Sequence, residues 1–182
     1  MLEALDRRDV LLDKIVDALL EHGVADLSLR PLAERVGTSA RLLIYHFGSK
    51  EKLLVEALAA VRLRVAKSLT ERSVLERPGS LKAVLLMFWD WATLPHNQNY
   101  FRLLFEVDGL SMFDRVVFSD EAVRDGTTLW LTLIEKSASR ANSTLIMAAM
   151  NGLLQDFLTT GDRARTTQAL QSLIALIAAE KA

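Results

Sequence analysis

The chain has 182 residues and no cysteine. Disulfides and thiolate metal sites are therefore excluded, and a reducing, cytoplasmic setting is compatible with the composition. Three prolines and eight glycines are few, and β-branched alternation is scarce. Little in the chain asks for a sheet. The longest stretch without a charge, Ala141–Gln155, is shorter than the roughly 20 residues that span a bilayer, so no membrane partner is expected. The first residues, MLEALDRRDVLLDKIVDALL, interleave charges throughout and are not expected to act as a signal peptide. His22, His46 and His96 are the only histidines, and no pair of them has metal-ligand spacing. A nucleophile elbow, a phosphate-binding loop and a dinucleotide fingerprint are also missing. The expectation is a chain with no catalytic residue, no metal and no cofactor.

What is present is apolar, at 51% hydrophobic residues, and the chain is long enough to bury a sizeable core. Net charge is −1, which by itself speaks against a polyanion. Its distribution is uneven. Residues 1–26 are acidic, whereas residues 27–52 hold Arg30, Arg35, Arg41, Lys50 and Lys52 against only Glu34 and Glu51. A local basic patch suits a small polyanion-binding surface, although on charge alone a chance fluctuation is the simpler account.

Helical periodicity runs through the chain. Leu11, Leu12, Ile15, Val16, Leu19 and Leu20 recur at three- and four-residue spacing in a helix over Asp9–His22 that Gly23 ends. Ser28 is placed to cap a short helix, Leu29–Val36, with Pro31 in its first turn. Gly37-Thr38-Ser39 makes a tight turn, Ala40–His46 a third helix, and Ser49 caps a longer one over about 50–71. RPGS, Arg77–Ser80, is the strongest breaker signal. Further helices are expected over Leu81–Thr93, stopped by Pro95, then Asn97–Asp108, Ser119–Ser137, Arg140–Thr159 and Asp162–Ala179.

Two short helices joined by a tight turn form a helix-turn-helix candidate. Ala33 is small enough for a close helix crossing, and Gly37 tolerates the positive φ of the turn. A helix as short as the third cannot persist alone in water, so Leu43 and Phe47 must anchor it. That leaves Ala40, Arg41, Leu42, Ile44, Tyr45 and His46 on or near an outward face, where a DNA major groove could meet them. Leu42 and Ile44 have two open readings, packing or contact with thymine methyls. Arg62, Arg64, Lys67 and Arg72 read as a solvated helix face rather than a second DNA site.

The run from LSLRPLAERVGTS to LLIYHFGSKEKLL resembles the DNA-binding domain of the TetR (tetracycline-repressor-like) family over residues 9–58. The resemblance rests on a Gly-x-Ser turn, an aromatic and histidine-bearing helix ending in Phe, and Ser-Lys-Glu. It implies an all-α protein, with an N-terminal three-helix helix-turn-helix DNA-binding domain joined by a long helix to a helical-bundle ligand-binding and dimerisation domain. The division expected is 1–50 for DNA and 51–182 for ligand and dimer, with helix four, about 50–72, as connector. Lys50 would contact phosphate, Ser28 and Ser39 would clamp the DNA backbone, and Arg30 would reach bases or phosphates. Tyr45 and His46 match polar phosphate-contacting positions. Two residues leave the family pattern. Ile44 stands where many relatives have tyrosine, and Arg41 where many have a small residue. A forked guanidinium at Arg41 fits guanine O6 and N7, so Arg41 is expected to read a base.

Beyond residue 80, aromatic and methionine side chains are dense. The plain reading is core. The resemblance raises a second, an apolar effector pocket drawn from Trp89, Phe101, Arg102, Phe105, Trp130, Met147, Met150 and Asn151. Asn97, Gln98, Asn99 and Glu106 are further polar candidates for it. In the last two helices, Leu145, Ala149, Gly152, Leu153, Leu170, Leu173, Ile174 and Ile177 recur at helical spacing. They fit a two-fold dimer interface or an intramolecular core. The partners expected are operator DNA, a second copy of the chain and a small-molecule effector. The function expected is a homodimeric repressor of TetR type released from a palindromic operator by that effector. A DNA-binding dimer without an effector, and a helical ligand-binding protein that does not bind DNA, are the alternatives.

Overall fold

A computed structural model describes residues 2–71, 80–113, 131, 134–135 and 138–179. These residues are almost wholly helical, in α1 (Leu2–His22), α2 (Leu29–Val36), α3 (Ala40–Phe47), α4 (Lys50–Glu71), α5 (Leu81–Ala92), α6 (Pro95–Met112), α7 (Arg140–Thr160) and α8 (Arg163–Ala179). No strand occurs among the described residues, as an all-α reading requires. The expected helix over Ser119–Ser137 falls almost entirely outside them. Residues 131, 134 and 135 are helical.

The chain packs as two compact units, Met1–Ala66 with Arg102–Arg124, and Lys67–Phe101 with Asp125–Ala182. The boundary passes through α4 and through α6. The division expected from function, at residue 50, cuts the chain elsewhere.

In the first unit, α1 packs on α2 and α2 on α3. Ile15, Val16, Leu19, Leu32, Leu43, Leu53 and Ala57 are buried completely. Arg64 staples α4 to α1, donating to Asp17 at 2.6 Å and to the Asp13 carboxylate at 2.9 Å. Arg64 was expected on a solvated face; its ion pairs give it a structural role.

In the second unit α7 packs on α8, and Trp89, Trp91, Ile146, Leu154 and Leu170 are buried. Trp91 lies in an aromatic cluster with Phe88, Tyr100 and Phe101. Arg163, at the start of α8, donates to Asp90 at 2.6 Å and to Thr93 Oγ1 at 3.0 Å, tying α8 to the end of α5. Among the described residues no buried polar side-chain atom lacks a partner.

Three boundaries differ from expectation by more than one residue. α1 begins at Leu2, not Asp9, since the strong helix formers of its first turns extend it without needing the apolar stripe. Pro95 does not merely stop α5, which already ends at Ala92. It opens α6, where its fixed φ and missing N–H suit a first helical position. Gly109, expected as a terminator, is helical inside α6. Burial of neighbouring Leu103 and Val107 offsets its cost of about 1 kcal/mol.

Candidate nucleic-acid interface

The turn between α2 and α3 is closed by backbone alone. Gly37 adopts φ 74°, ψ 38°. Its N–H donates to Glu34 O at 3.3 Å, and the Thr38 N–H donates to Ala33 O at 2.8 Å. This paired closure requires a left-handed residue at its centre. Ser39 then caps α3 in an extended conformation, its Oγ accepting from the Leu42 amide at 3.2 Å. Its own O–H proton is left for an outside acceptor.

Leu43 and Phe47 are buried and anchor α3. At about 1.5–3 kcal/mol per buried side chain, they are what holds so short a helix in place. The other residues of α3 turn outward. Tyr45 is 80% exposed, Leu42 47% and Ile44 39%. Leu42 and Ile44 are therefore partly exposed and not among the buried core residues. Arg41 is exposed, Ala40 half-buried, and His46 half-buried with its ring edge-on to Tyr45 at 5.1 Å.

Ser28 and Arg30 are exposed at the start of α2. The expected side-chain cap from Ser28 is absent. The Leu32 amide donates to the Ser28 carbonyl at 3.2 Å instead, and the hydroxyl makes no capping bond. Ser49 does cap α4, accepting from the Lys52 amide at 3.2 Å. Lys50 sits in that first turn, where free amides and the helix dipole favour an anion. Glu51 follows it. Its own backbone amide, then the Ser49 hydroxyl, hold its carboxyl below the usual carboxylate range.

Sequence reasoning missed Arg8. Its guanidinium lies over the Phe47 ring at 4.9 Å. Its Nε donates to the carbonyl of His46 at 3.3 Å, and Nη2 pairs with Glu56. One side chain on α1 thus grips the C-terminal end of α3 and joins it to α4. A cation at a helix C-terminus also meets the negative end of the dipole. Arg8 lies just outside the periodic stripe that began at Asp9, so spacing gave no signal for it.

The residues expected to hold an effector differ in burial and bonding. Trp89 is buried and donates Nε1–H to Thr167 Oγ1 at 2.8 Å. Phe101 and Met150 are buried, Phe105 and Met147 half-buried, Arg102 and Asn151 exposed. Trp130 lies outside the described residues. Asn97, fully buried, donates to Trp91 O at 2.8 Å. Glu106, named with the pocket candidates, accepts from the backbone amides of Val24 and Ala25. Among the described residues no group of three histidine, aspartate or glutamate side chains could hold a metal ion. No described helix is long and apolar enough to cross a membrane.

The expected dimer residues divide by exposure. Leu170, Ile174 and Ile177 are buried within the protomer, because the inner stripe of α8 is spent in its own unit. Leu153, Leu173 and Ala149 are half-buried. Leu145 and Gly152 are exposed, as is Leu176, which had not been singled out.

An α2–turn–α3 pair packed on α1, with Arg41, Leu42, Ile44 and Tyr45 exposed on the second short helix, has the form of a helix-turn-helix. Residues 11–57 match the family model described as bacterial regulatory proteins, tetR family. That match identifies residues 11–57 as a DNA-binding domain of the tetR type. None of the curated proteins matches the sequence.

Solved structures share the fold over nearly the whole chain. A protein from a Rhodococcus species, described as a TetR-family transcriptional regulator, is 22% identical. The match covers 96% of this chain and 98% of that one, with a TM-score of 0.70. The multidrug binding protein EbrR, complexed with imidazole, is 19% identical over 94% and 90% of the two chains, with a TM-score of 0.69. NalD of Pseudomonas aeruginosa, described as the secondary repressor of the MexAB-OprM multidrug efflux pump, is 20% identical over 95% and 96%, with a TM-score of 0.60.

Proposed function

We propose that the protein is a homodimeric repressor that reads a palindromic operator with α3 and is released by a small apolar or amphipathic effector. The observation that carries the DNA reading is the division of α3. Leu43 and Phe47 are buried, while Arg41, Leu42, Ile44 and Tyr45 stand out from the fold. In this reading Arg41 reads a guanine edge, Leu42 and Ile44 meet thymine methyls, and Ala40 lets the helix approach closely. Tyr45, His46, Ser28, Arg30, Ser39 and Lys50 engage the DNA backbone. A two-fold dimer would set its recognition helices about 34–36 Å apart, one turn of duplex.

An effector acts only if it binds more tightly to a state in which that spacing is wrong. The likeness to EbrR, described as a multidrug binding protein, supports such a ligand, and the likeness to NalD, described as a secondary repressor, supports repression. The alternative of a DNA-binding dimer without an effector also has support. Trp89, Asn97 and Glu106 already spend hydrogen-bonding groups on the protein's own atoms.

The test is fluorescence anisotropy with a duplex selected from a random pool by the wild-type protein. Arg41→Ala should weaken binding to that duplex about 10- to 100-fold and leave random duplex nearly unaffected. Equal loss on both would mean that Arg41 touches only phosphate. No preference by the wild type for any duplex would reject the DNA reading.

A further inference from the structure

α1 ends at His22, and the chain leaves it through Gly23 at φ +73°. The Gly23 N–H closes the helix by donating to Leu19 O at 2.8 Å. The next two amides, those of Val24 and Ala25, face a side chain more than 80 residues further along the sequence. Glu106 Oε2 accepts from the Val24 amide at 3.0 Å, and Oε1 accepts from the Ala25 amide at 2.7 Å. Each carboxylate oxygen has its own N–H. Successive backbone amides after a left-handed residue form a concavity for an anion, and hydrogen bonds to an ionised acceptor are about twice as strong as neutral ones.

The seat also depends on what is missing. A Cβ at residue 23 would overlap Oε2 of Glu106 and lie 2.8 Å from its Oε1 and 2.9 Å from its Cδ. Gly23 is therefore needed both for its φ and for the room it leaves. Glu106 belongs to the part of α6 that packs in the same compact unit as α1, α2 and α3. The corner it grips joins α1 to α2, and α2 carries α3 through the Gly37 turn. Val24 and Leu27, on either side of the corner, are buried, so a shift there would move α2 as a body.

We propose that Glu106 is a positioning residue for operator recognition, its carboxylate locking the α1–α2 corner to α6 and so setting the angle at which the α2–α3 pair is carried. The proposal rests on the DNA reading above. Glutamine at this position keeps the length of the side chain but offers one acceptor oxygen. Its NH2 would face an amide N–H, so one of the two bonds must be lost. Alanine loses both.

The test compares wild type, Glu106→Gln and Glu106→Ala by two measurements. The first is amide hydrogen exchange at Val24 and Ala25 in the DNA-free protein. The second is affinity for the selected operator, for the same operator with its centre lengthened or shortened by one base pair, and for random duplex. Exchange should speed up by about tenfold or more at both amides in Glu106→Ala and at one of the two in Glu106→Gln, with the amides of α3 unchanged. Operator affinity should fall about tenfold, random-duplex affinity should change less than about twofold, and the preference for the selected spacing should shrink.

Unchanged exchange in both variants would overturn the latch. A parallel fall on all duplexes would overturn the positioning role, because a loss of folded protein lowers every affinity alike. If Glu106→Ala does not fold, Glu106→Gln carries the same measurements. A wild-type protein that does not tell any duplex from random DNA overturns the DNA reading, and this proposal with it, whatever the exchange shows.

Discussion

Arg41 and Lys50 are both cations, and they are expected to fail differently when removed. Arg41 stands exposed near the start of α3, free of the cap that Ser39 provides. Its planar fork is suited to a base edge. Lys50 sits in the first turn of α4 beside the Ser49 cap, a point charge at a helix start. Phosphate contact through Lys50 carries no sequence information. Lys50→Ala should therefore weaken selected and random duplexes by similar factors. It should also reduce the slope of log affinity against log salt by about 1 per protomer, about 2 for the dimer on a palindrome. Anisotropy titrations at four salt concentrations measure both effects. A sequence-selective loss would move Lys50 from the backbone to the bases. Ile44 is the complementary case. It is exposed but has no hydrogen-bonding side-chain group, so it offers only apolar contact.

The helix-turn-helix was legible almost to the residue because its boundaries are made by neighbours. Ser39 and Gly37 act on atoms within a few positions of themselves, and the apolar spacing of α3 names its own anchors. Gly37→Ala places a Cβ on a left-handed backbone with φ 74°, although the space around it is open. It should cost about 1–2 kcal/mol, read as a lower midpoint in urea denaturation with an unchanged slope. A cost near zero would show that the turn can relax to another conformation. Elements held by distant partners were not legible. Arg8 reaches His46 and Glu56, and Glu106 reaches Val24 and Ala25, across separations that no local pattern encodes. The ends of α6 were misplaced for a related reason: packing carried the helix through Gly109 against its local preference. α6 also carries Asp108, half-buried, whose pKa is raised by desolvation and lowered by Arg62, with desolvation the larger effect. A raised folded-state pKa means that the folded protein holds the proton more tightly between the ordinary value and the raised one. Stability from this group is then fully present below the ordinary carboxylate range and is lost as pH rises through the raised value. Asp108→Asn should accordingly raise the thermal midpoint at neutral pH and leave it nearly unchanged in acid. A lower midpoint at neutral pH would mean that attraction to Arg62 outweighs the burial.

For the molecule as a whole, the sequence pattern of the last two helices could not separate a partner from the protomer's own core, because apolar spacing is the same for both. Burial separates them in part. Leu170, Ile174 and Ile177 are consumed inside the protomer, whereas Leu145 at 50% exposure and Leu176 at 68% remain outside with Gly152. Large apolar side chains left on α7 and α8 are what a two-fold contact between copies would cover. A palindromic operator then gains affinity through both half-sites at once, since binding one recognition helix raises the effective concentration of the other. The wild-type protein should sediment at micromolar concentration as twice its 20.3 kDa chain mass. Leu145→Glu combined with Leu176→Glu places four carboxylates in the dimer's contact and should give a folded monomer with unchanged helical circular dichroism. Its affinity for a full palindrome should drop by about 100-fold or more, while its affinity for a single half-site changes little. A wild type that is monomeric under these conditions would remove the dimer, and a double variant that still dimerises would move the contact to another face of the chain.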